Sequence, residues 1–284
     1  MEPKITPLRD DTSFSFACSP ALSCFNACCR DLNQALAPYD ILRLKNALRL
    51  SSGDFLEAFT IRRIGPETGL PVISLNFARQ ANRHCPFVTP AGCRVYRDRP
   101  ASCRLYPLAR GTARHRASAR ISEHFALIRE PHCRGFDQET ARTAPRDWMR
   151  DQGLAPYNRY NDMFLELISL KNRRQPGRLE PQRERLFFTA LYDIDSFREL
   201  VSPESFGKHR HIDPADSPII DPDLKPGLKP DLKPDLQSDE IALFEFAHAW
   251  VKKNVFDGIE TARTGPSIGG PPRRPGPLQP RQVP

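Results

Sequence analysis

The sequence predicts an α+β fold: a small cysteine-rich domain of short hairpins and helices over residues 1–140, a helical cap over 141–202, and a disordered Pro-rich tail. Three observations predict it. All eight cysteines fall between Cys18 and Cys133, so the second half of the 284-residue chain has none. Turn formers break the first half into short segments, whereas from about residue 141 apolar side chains recur at helical spacing. Fourteen of the 29 prolines lie in the last 82 residues, where they block continuous helix.

The elements follow in order. Pro38 can open a helix in PYDILRLKNALRL, where Ile41, Leu44 and Leu48 share one face. Ser51 and Asp54 form a capping-box pattern ahead of FLEAF. FTIRRIG and LPVISLNF, separated by PETG, read as a hairpin, and GCRVY and HFALIRE as further strands. RGTARHRASAR, residues 110–120, carries four arginines but no aromatic to stack on a base, and reads as a solvated loop. In the cap, APRDWMRDQ has Pro145 near its first turn. YNRYNDMFLELISLKN places Tyr160, Phe164, Leu167 and Leu170 near one face. LEPQRERLFFTALYDIDSFRELV continues with Leu186, Leu191, Ile194 and Phe197. These aromatics read as core. Asp193 and Asp195, two apart in that helix, are expected to face apart.

Residues 203–239 read as a linker, because PDLKPGLKPDLKPDLQ repeats proline every fourth position. Residues 240–256, within SDEIALFEFAHAWVKKNVF, read as one amphipathic helix that docks on the core or binds a protein partner. Residues 257–284 read as disordered.

The chain carries 42 Lys+Arg against 34 Asp+Glu, a formal charge of +8 with a pI near 9.2. A few net charges do not call for a nucleic-acid partner, and none is expected. The start, MEPKITPLRDD, lacks the basic-then-apolar layout of a secretory signal. The best apolar run, IALFEFAHAWV, is interrupted by Glu245 and His248, so no membrane span is expected. A cytoplasmic address follows, and there thiols stay reduced.

That address turns attention to what eight crowded thiols are for. FACSPALSCFNACCRDL holds Cys18, Cys24, Cys28 and Cys29. CPFVTPAGCRVYRDRPASCRLYP holds Cys85, Cys93 and Cys103, and Cys133 follows. In a reducing compartment such clusters are metal ligands more often than bridges. Four thiolates suit tetrahedral zinc and also suit iron–sulfur clusters, and the spacing does not choose between them. Eight thiols allow two four-cysteine sites. The adjacent pair Cys28–Cys29 could serve different centres, or one could ligate while the other supports it. Pro90, Gly92 and the RDRP run are turn makers that return separated thiols toward one centre. Pro100 places Cys103 in the first turn of a short helix, which favours its thiolate. Arg30, Arg94, Arg99, Arg104 and Arg134 lie beside cysteines and are expected to offset their charge. His84 and His132 directly precede cysteines and read as hydrogen-bonding groups rather than ligands, with His115 and His124 further removed.

These residues resemble the YkgJ-type cysteine-cluster family. Shared features are the N-terminal group ending in Cys28–Cys29, then Cys85-Pro86-Phe87, Gly92-Cys93-x-Val95-Tyr96 and Arg99-Pro100-x-x-Cys103-Arg104. The resemblance spans roughly residues 14–135, and the first spacings here, x5 and x3, are longer than the family's compact form. It implies a zinc- or iron–sulfur-binding domain without an established reaction. The same segment is similar to the cysteine domain of flagellin lysine N-methylases, which implies a protein-modifying enzyme as the alternative. The C-x3-C-x2-C spacing of S-adenosylmethionine clusters is absent, since Asp31 stands at its third position, and no glycine-rich methyl-donor loop is present.

Overall fold

The structure is a computed structural model that describes residues 3–9, 12–114, 121–201 and 238–256. Two three-stranded antiparallel sheets and a set of helices build it. β1 (Lys4–Leu8) lies against β8 (Ile121–Arg129), which pairs in turn with β7 (Leu108–Arg114). The second sheet has the order β2 (Ala35–Leu36), β4 (Pro71–Leu75), β3 (Thr60–Ile64). A two-residue hairpin, β5 (Val88–Thr89) with β6 (Gly92–Cys93), stands apart from both. The α+β class holds.

α1 (Pro38–Leu48) begins on Pro38, and Asp40 Oδ2 accepts the Ala37 N–H at 2.9 Å. Ser51 caps α2 (Ser52–Phe59) by accepting the Asp54 N–H at 3.1 Å. The following hairpin pairs Thr60 with Leu75 and Ile64 with Pro71, as the sequence predicts. Its loop needs Gly69, which sits at φ 64°; a Cβ there would lie 2.1 Å from the Gly177 carbonyl oxygen.

Several expectations change. GCRVY pairs only through Gly92–Cys93, and Tyr96–Asp98 is a 3-10 turn. The predicted loop 110–120 is partly strand: Arg110–Arg114 belongs to β7, and residues 115–120 lie outside the described residues. The buried Arg110 guanidinium bonds both oxygens of Asp162 at 2.9 Å and Glu123 at 2.6 Å. It ties the β1-β8-β7 sheet to the helix that carries Asp162, and its charge is committed to two carboxylates rather than left for a phosphate. Of the expected linker, 203–239, residues 203–237 lie outside the described residues, as does the tail, 257–284, while Ser238 and Asp239 belong to the last helix.

The cap contains α4 (Pro145–Asp151), α5 (Ala155–Arg174), α6 (Pro181–Leu191) and α7 (Ile194–Leu200). The stretch expected to continue through residue 193 breaks there. Asp193 leaves helical geometry (φ −107°, ψ 68°), and Asp193 and Asp195 converge instead of facing apart. Ser52 Oγ donates to Asp193 at 2.6 Å, and the Ser52 N–H donates to Asp195 at 2.7 Å. The Asp195 N–H returns a bond to Ser52 Oγ at 3.0 Å, so the starts of α2 and α7 satisfy each other.

One hydrophobic core runs through both halves of the chain. It includes Leu36, Tyr39, Phe55, Phe87, Leu167, Phe187 and Phe197. The last helix, α8 (Ser238–Val251), ends in a π-helical turn, Lys252–Phe256, and contributes Leu243, Phe244, Ala247, Val251, Val255 and Phe256 to the same core. It therefore packs on this chain. Glu240 on α8 meets the buried Lys45 Nζ at 2.5 Å and the Asn46 amide at 2.6 Å, and Asp195 lies 3.4 Å from the same Lys45. Glu245 accepts from Tyr160 and Arg159, both at 3.0 Å. A second, small cluster holds Phe14, Phe16, Leu108 and Leu127, with Trp148, Phe136 and Cys133 against it. Among the described residues, no helix is long and apolar enough to cross a membrane.

Candidate metal centre

The cysteine segments have little regular structure, and bonded turns place them. Ala27–Cys29 forms a 3-10 turn entered through Asn26, whose amide donates to the Thr89 carbonyl at 2.9 Å. The strand-like pairing of Arg30 with His84 fixes this segment to the next one. The Cys85 N–H donates to the Cys29 carbonyl at 2.8 Å, and the Asp31 N–H to the Arg83 carbonyl at 2.8 Å. Asn26, Asp31, Asn82 and Arg83 all have φ between 50° and 66°. Asn and Asp tolerate this left-handed region better than other side chains, which suits them to such bends.

Cys85 precedes the β5–β6 hairpin and Cys93 ends it, paired with Val88. Cys103 sits in the first turn of α3 (Ala101–Leu105), whose start is set by Asp40 Oδ1 accepting the Ala101 N–H at 2.8 Å. Cys133 follows β8. The Ala17 N–H donates to the Gly135 carbonyl at 3.0 Å, bringing the first cysteine segment alongside the last. Gly135 is required by that approach, because a Cβ would lie 2.4 Å from the Phe16 ring and 2.8 Å from the Ala17 oxygen.

All eight cysteines are free thiols. Their charges reach one another across the patch: Cys28 acts on Cys18, Cys85, Cys93 and Cys103. Among the described residues, no three His, Cys, Asp or Glu side chains form a ready-made metal-binding group. As thiols, then, these sulfurs are neighbours that do not close on a common point. Cys28 and Cys29 do not point away from each other as adjacent side chains usually do. The Cys29 thiol hydrogen-bonds Cys28, lowering Cys28 to about 7 while its own proton is held far more tightly.

Burial governs most of the others. It pushes Cys85 up to about 11 and Cys103 up to about 12, and neighbouring cysteines push further. Cys18 and Cys93 are raised for the same first reason. The expected positive surround is thinner than the sequence suggests. Arg99 and Arg94 favour the Cys93 thiolate without outweighing burial. Arg30 and Arg104 bond backbone carbonyls instead, and Arg134 pairs with Asp137 at 3.5 Å. His84 is exposed, and His132 pairs with Glu130 at 3.1 Å.

The donor set fits a thiolate-bound metal. The Arg134 N–H donates to Cys24 Sγ at 3.2 Å. The backbone amides of Phe87 and Val88 lower the Cys85 thiol and that of Val95 lowers the Cys93 thiol, favouring the anion without outweighing burial. The buried Tyr106 hydroxyl has no hydrogen-bond partner of ordinary geometry, and its phenol is raised by burial and then by the adjacent Cys133 sulfur. A Cys133 thiolate would give it an acceptor. Donors to sulfur of this kind orient metal-bound thiolates and tune the metal they hold. Sequence reasoning missed Tyr106 and Asp40, whose roles depend on contacts between distant segments.

Residues 17–140 match the CxxCxxCC family, described as a "putative zinc- or iron-chelating domain". Over this segment the chain is similar to that cysteine-cluster family. No curated protein and no solved structure matches the chain. The match supports metal binding in general for the cysteine-cluster segment and leaves zinc and iron open. It adds nothing to the resemblance to flagellin lysine N-methylases.

Proposed function

We propose that the cysteine-cluster domain uses Cys18, Cys24, Cys28, Cys29, Cys85, Cys93, Cys103 and Cys133 to hold zinc or an iron–sulfur centre. One observation carries this reading: backbone hydrogen bonds tie the separated cysteine-bearing segments to one another, and one amide, that of Arg134, already donates to a cysteine sulfur, Cys24 Sγ. Holding them as anions without a cation is unfavourable, since burial and the neighbouring cysteines keep Cys85 and Cys103 protonated. A cation reverses that balance, because metal binding displaces thiol protons and adds to folding free energy. When bound, zinc would supply a redox-inert S4 node, whereas an iron–sulfur cluster would supply one-electron transfer.

The test is elemental analysis of full-length protein purified without oxygen. Brown colour with iron and acid-labile sulfide identifies a cluster; colourless protein with stoichiometric zinc identifies a zinc site. Protein that carries neither metal and takes up neither on reconstitution would refute the reading.

A further inference from the structure

We propose that the eight thiols divide into two four-sulfur sets, Cys18, Cys24, Cys28 and Cys133 in one and Cys29, Cys85, Cys93 and Cys103 in the other, with the Cys28–Cys29 peptide as their boundary. This rests on the metal reading above and adds which sulfurs share an ion.

The first set is gathered on the small aromatic cluster. The Ala17–Gly135 hydrogen bond lays residues 16–18 beside residues 133–135, and Phe16 and Cys133 pack in that cluster. The Arg134 amide, next to Cys133, donates to Cys24 Sγ at 3.2 Å. Cys18 lies within electrostatic reach of Cys24, Cys28 and Cys133. Tyr106, beside Cys133, also feels Cys28, which brings the fourth sulfur to this side.

The second set is gathered on the main core. Cys85, just before the β5–β6 hairpin, and Cys93, at its end, pack against that core. The Cys85 amide bonds the Cys29 carbonyl at 2.8 Å. Cys29 lies within reach of Cys85 and Cys103, and Cys103 within reach of Cys85 and Cys93. Cys28 lies within reach of Cys18 in the first group and of Cys85, Cys93 and Cys103 in the second. It is Cys29 whose backbone is bonded to Cys85, however, so Cys29 takes the place in the second set and Cys28 completes the first. A 3-10 turn advances about 120° per residue. That step lets two adjacent side chains serve different neighbours even though, as thiols, they meet.

The test uses full-length, metal-free protein given zinc in steps from zero to two equivalents. A fast alkylating reagent and peptide mass spectrometry read which cysteines are protected at each step. The division predicts protection in fours: at one equivalent, members of a set share one degree of protection, and the two sets fill as separate blocks. Mixed blocks, such as Cys24 rising with Cys93, overturn it. Variants give a second readout through zinc stoichiometry. Cys24→Ser and Cys93→Ser should each lose half the bound zinc, Cys24→Ser/Cys133→Ser no more than Cys24→Ser alone, and Cys24→Ser/Cys93→Ser all of it. Total loss from a single substitution in folded protein overturns the division while leaving metal binding intact. Wild-type protein that protects no cysteine with zinc, and binds neither zinc nor iron, overturns the metal reading itself.

Discussion

Glu240→Ala separates two forces that hold α8 in place. The substitution leaves Lys45 buried, with only Asp195 at 3.4 Å as a carboxylate partner, and leaves the Asn46 amide without its acceptor. Removing one member of a buried pair costs about 3–5 kcal/mol. Asp195 is partly exposed and bonded to Ser52, so it retains some of the interaction, and a loss of about 2–3 kcal/mol is expected. Against this stand Leu243, Phe244, Val251, Val255 and Phe256, all essentially fully buried. At about 1.5–3 kcal/mol each, their burial amounts to roughly 8–15 kcal/mol before ordering costs. Apolar packing therefore wins, and the helix stays docked. Trp250 reports on this directly, because its ring stands edge-on to Phe197 at 5.4 Å. In a Trp148→Phe background, Trp250 emission should be unchanged in buffer, while the urea midpoint falls by the equivalent of that loss. Glu240→Gln, which keeps an acceptor for Asn46, should lose less. An unchanged midpoint would show that the charge network contributes nothing. A red-shifted emission before any urea is added would show that charge, not packing, seats the helix.

Three further outcomes are expected. His248 is buried on α8, donates Nδ1–H to the Phe244 carbonyl at 2.8 Å, and has no partner for Nε2. Burial holds it down to about 4, Lys252 adds to this, and the Phe244 carbonyl and Glu166 oppose it. Below pH 6.5 the unfolded chain takes a proton that the folded chain refuses, so stability falls as pH falls, by about 2 kcal/mol between pH 7 and pH 5. His248→Leu should flatten that slope in urea titrations at the two pH values. Gly135→Ala places a methyl group against the Phe16 ring and the Ala17 carbonyl; overpacking of about 2 kcal/mol should lower the thermal midpoint by roughly 4–8 °C, read by calorimetry. Metal-free protein should lose stability as pH rises from about 9 to about 11, because the unfolded chain releases thiol protons that Cys85 and Cys103 retain. Metal-loaded protein should not show that loss, and denaturation curves at pH 8 and pH 10.5 compare the two.

Much of this fold was legible where a local rule governs. Pro38, the Ser51–Asp54 cap and the alternation in residues 59–77 are local signals, and the structure follows them. β1 was missed because Lys4–Leu8 is an exposed edge whose partner, β8, lies far along the chain. The break at Asp193 was missed because its cause, Ser52, sits on another helix. The thiols were found by their spacing, but their surroundings were not. Backbone amides aimed at sulfur have no signature in residue type, and flanking arginines proved to be occupied with carbonyls as much as with thiols.

The main core takes side chains from Leu36 onward and is completed only by Phe256. On a ribosome, every cysteine emerges before the helix that roofs this core. Delivery of an ion to the sulfurs and final closure of the body are then separable in time. A stop codon ahead of Ser238 would release a chain with all its sulfurs but no roof.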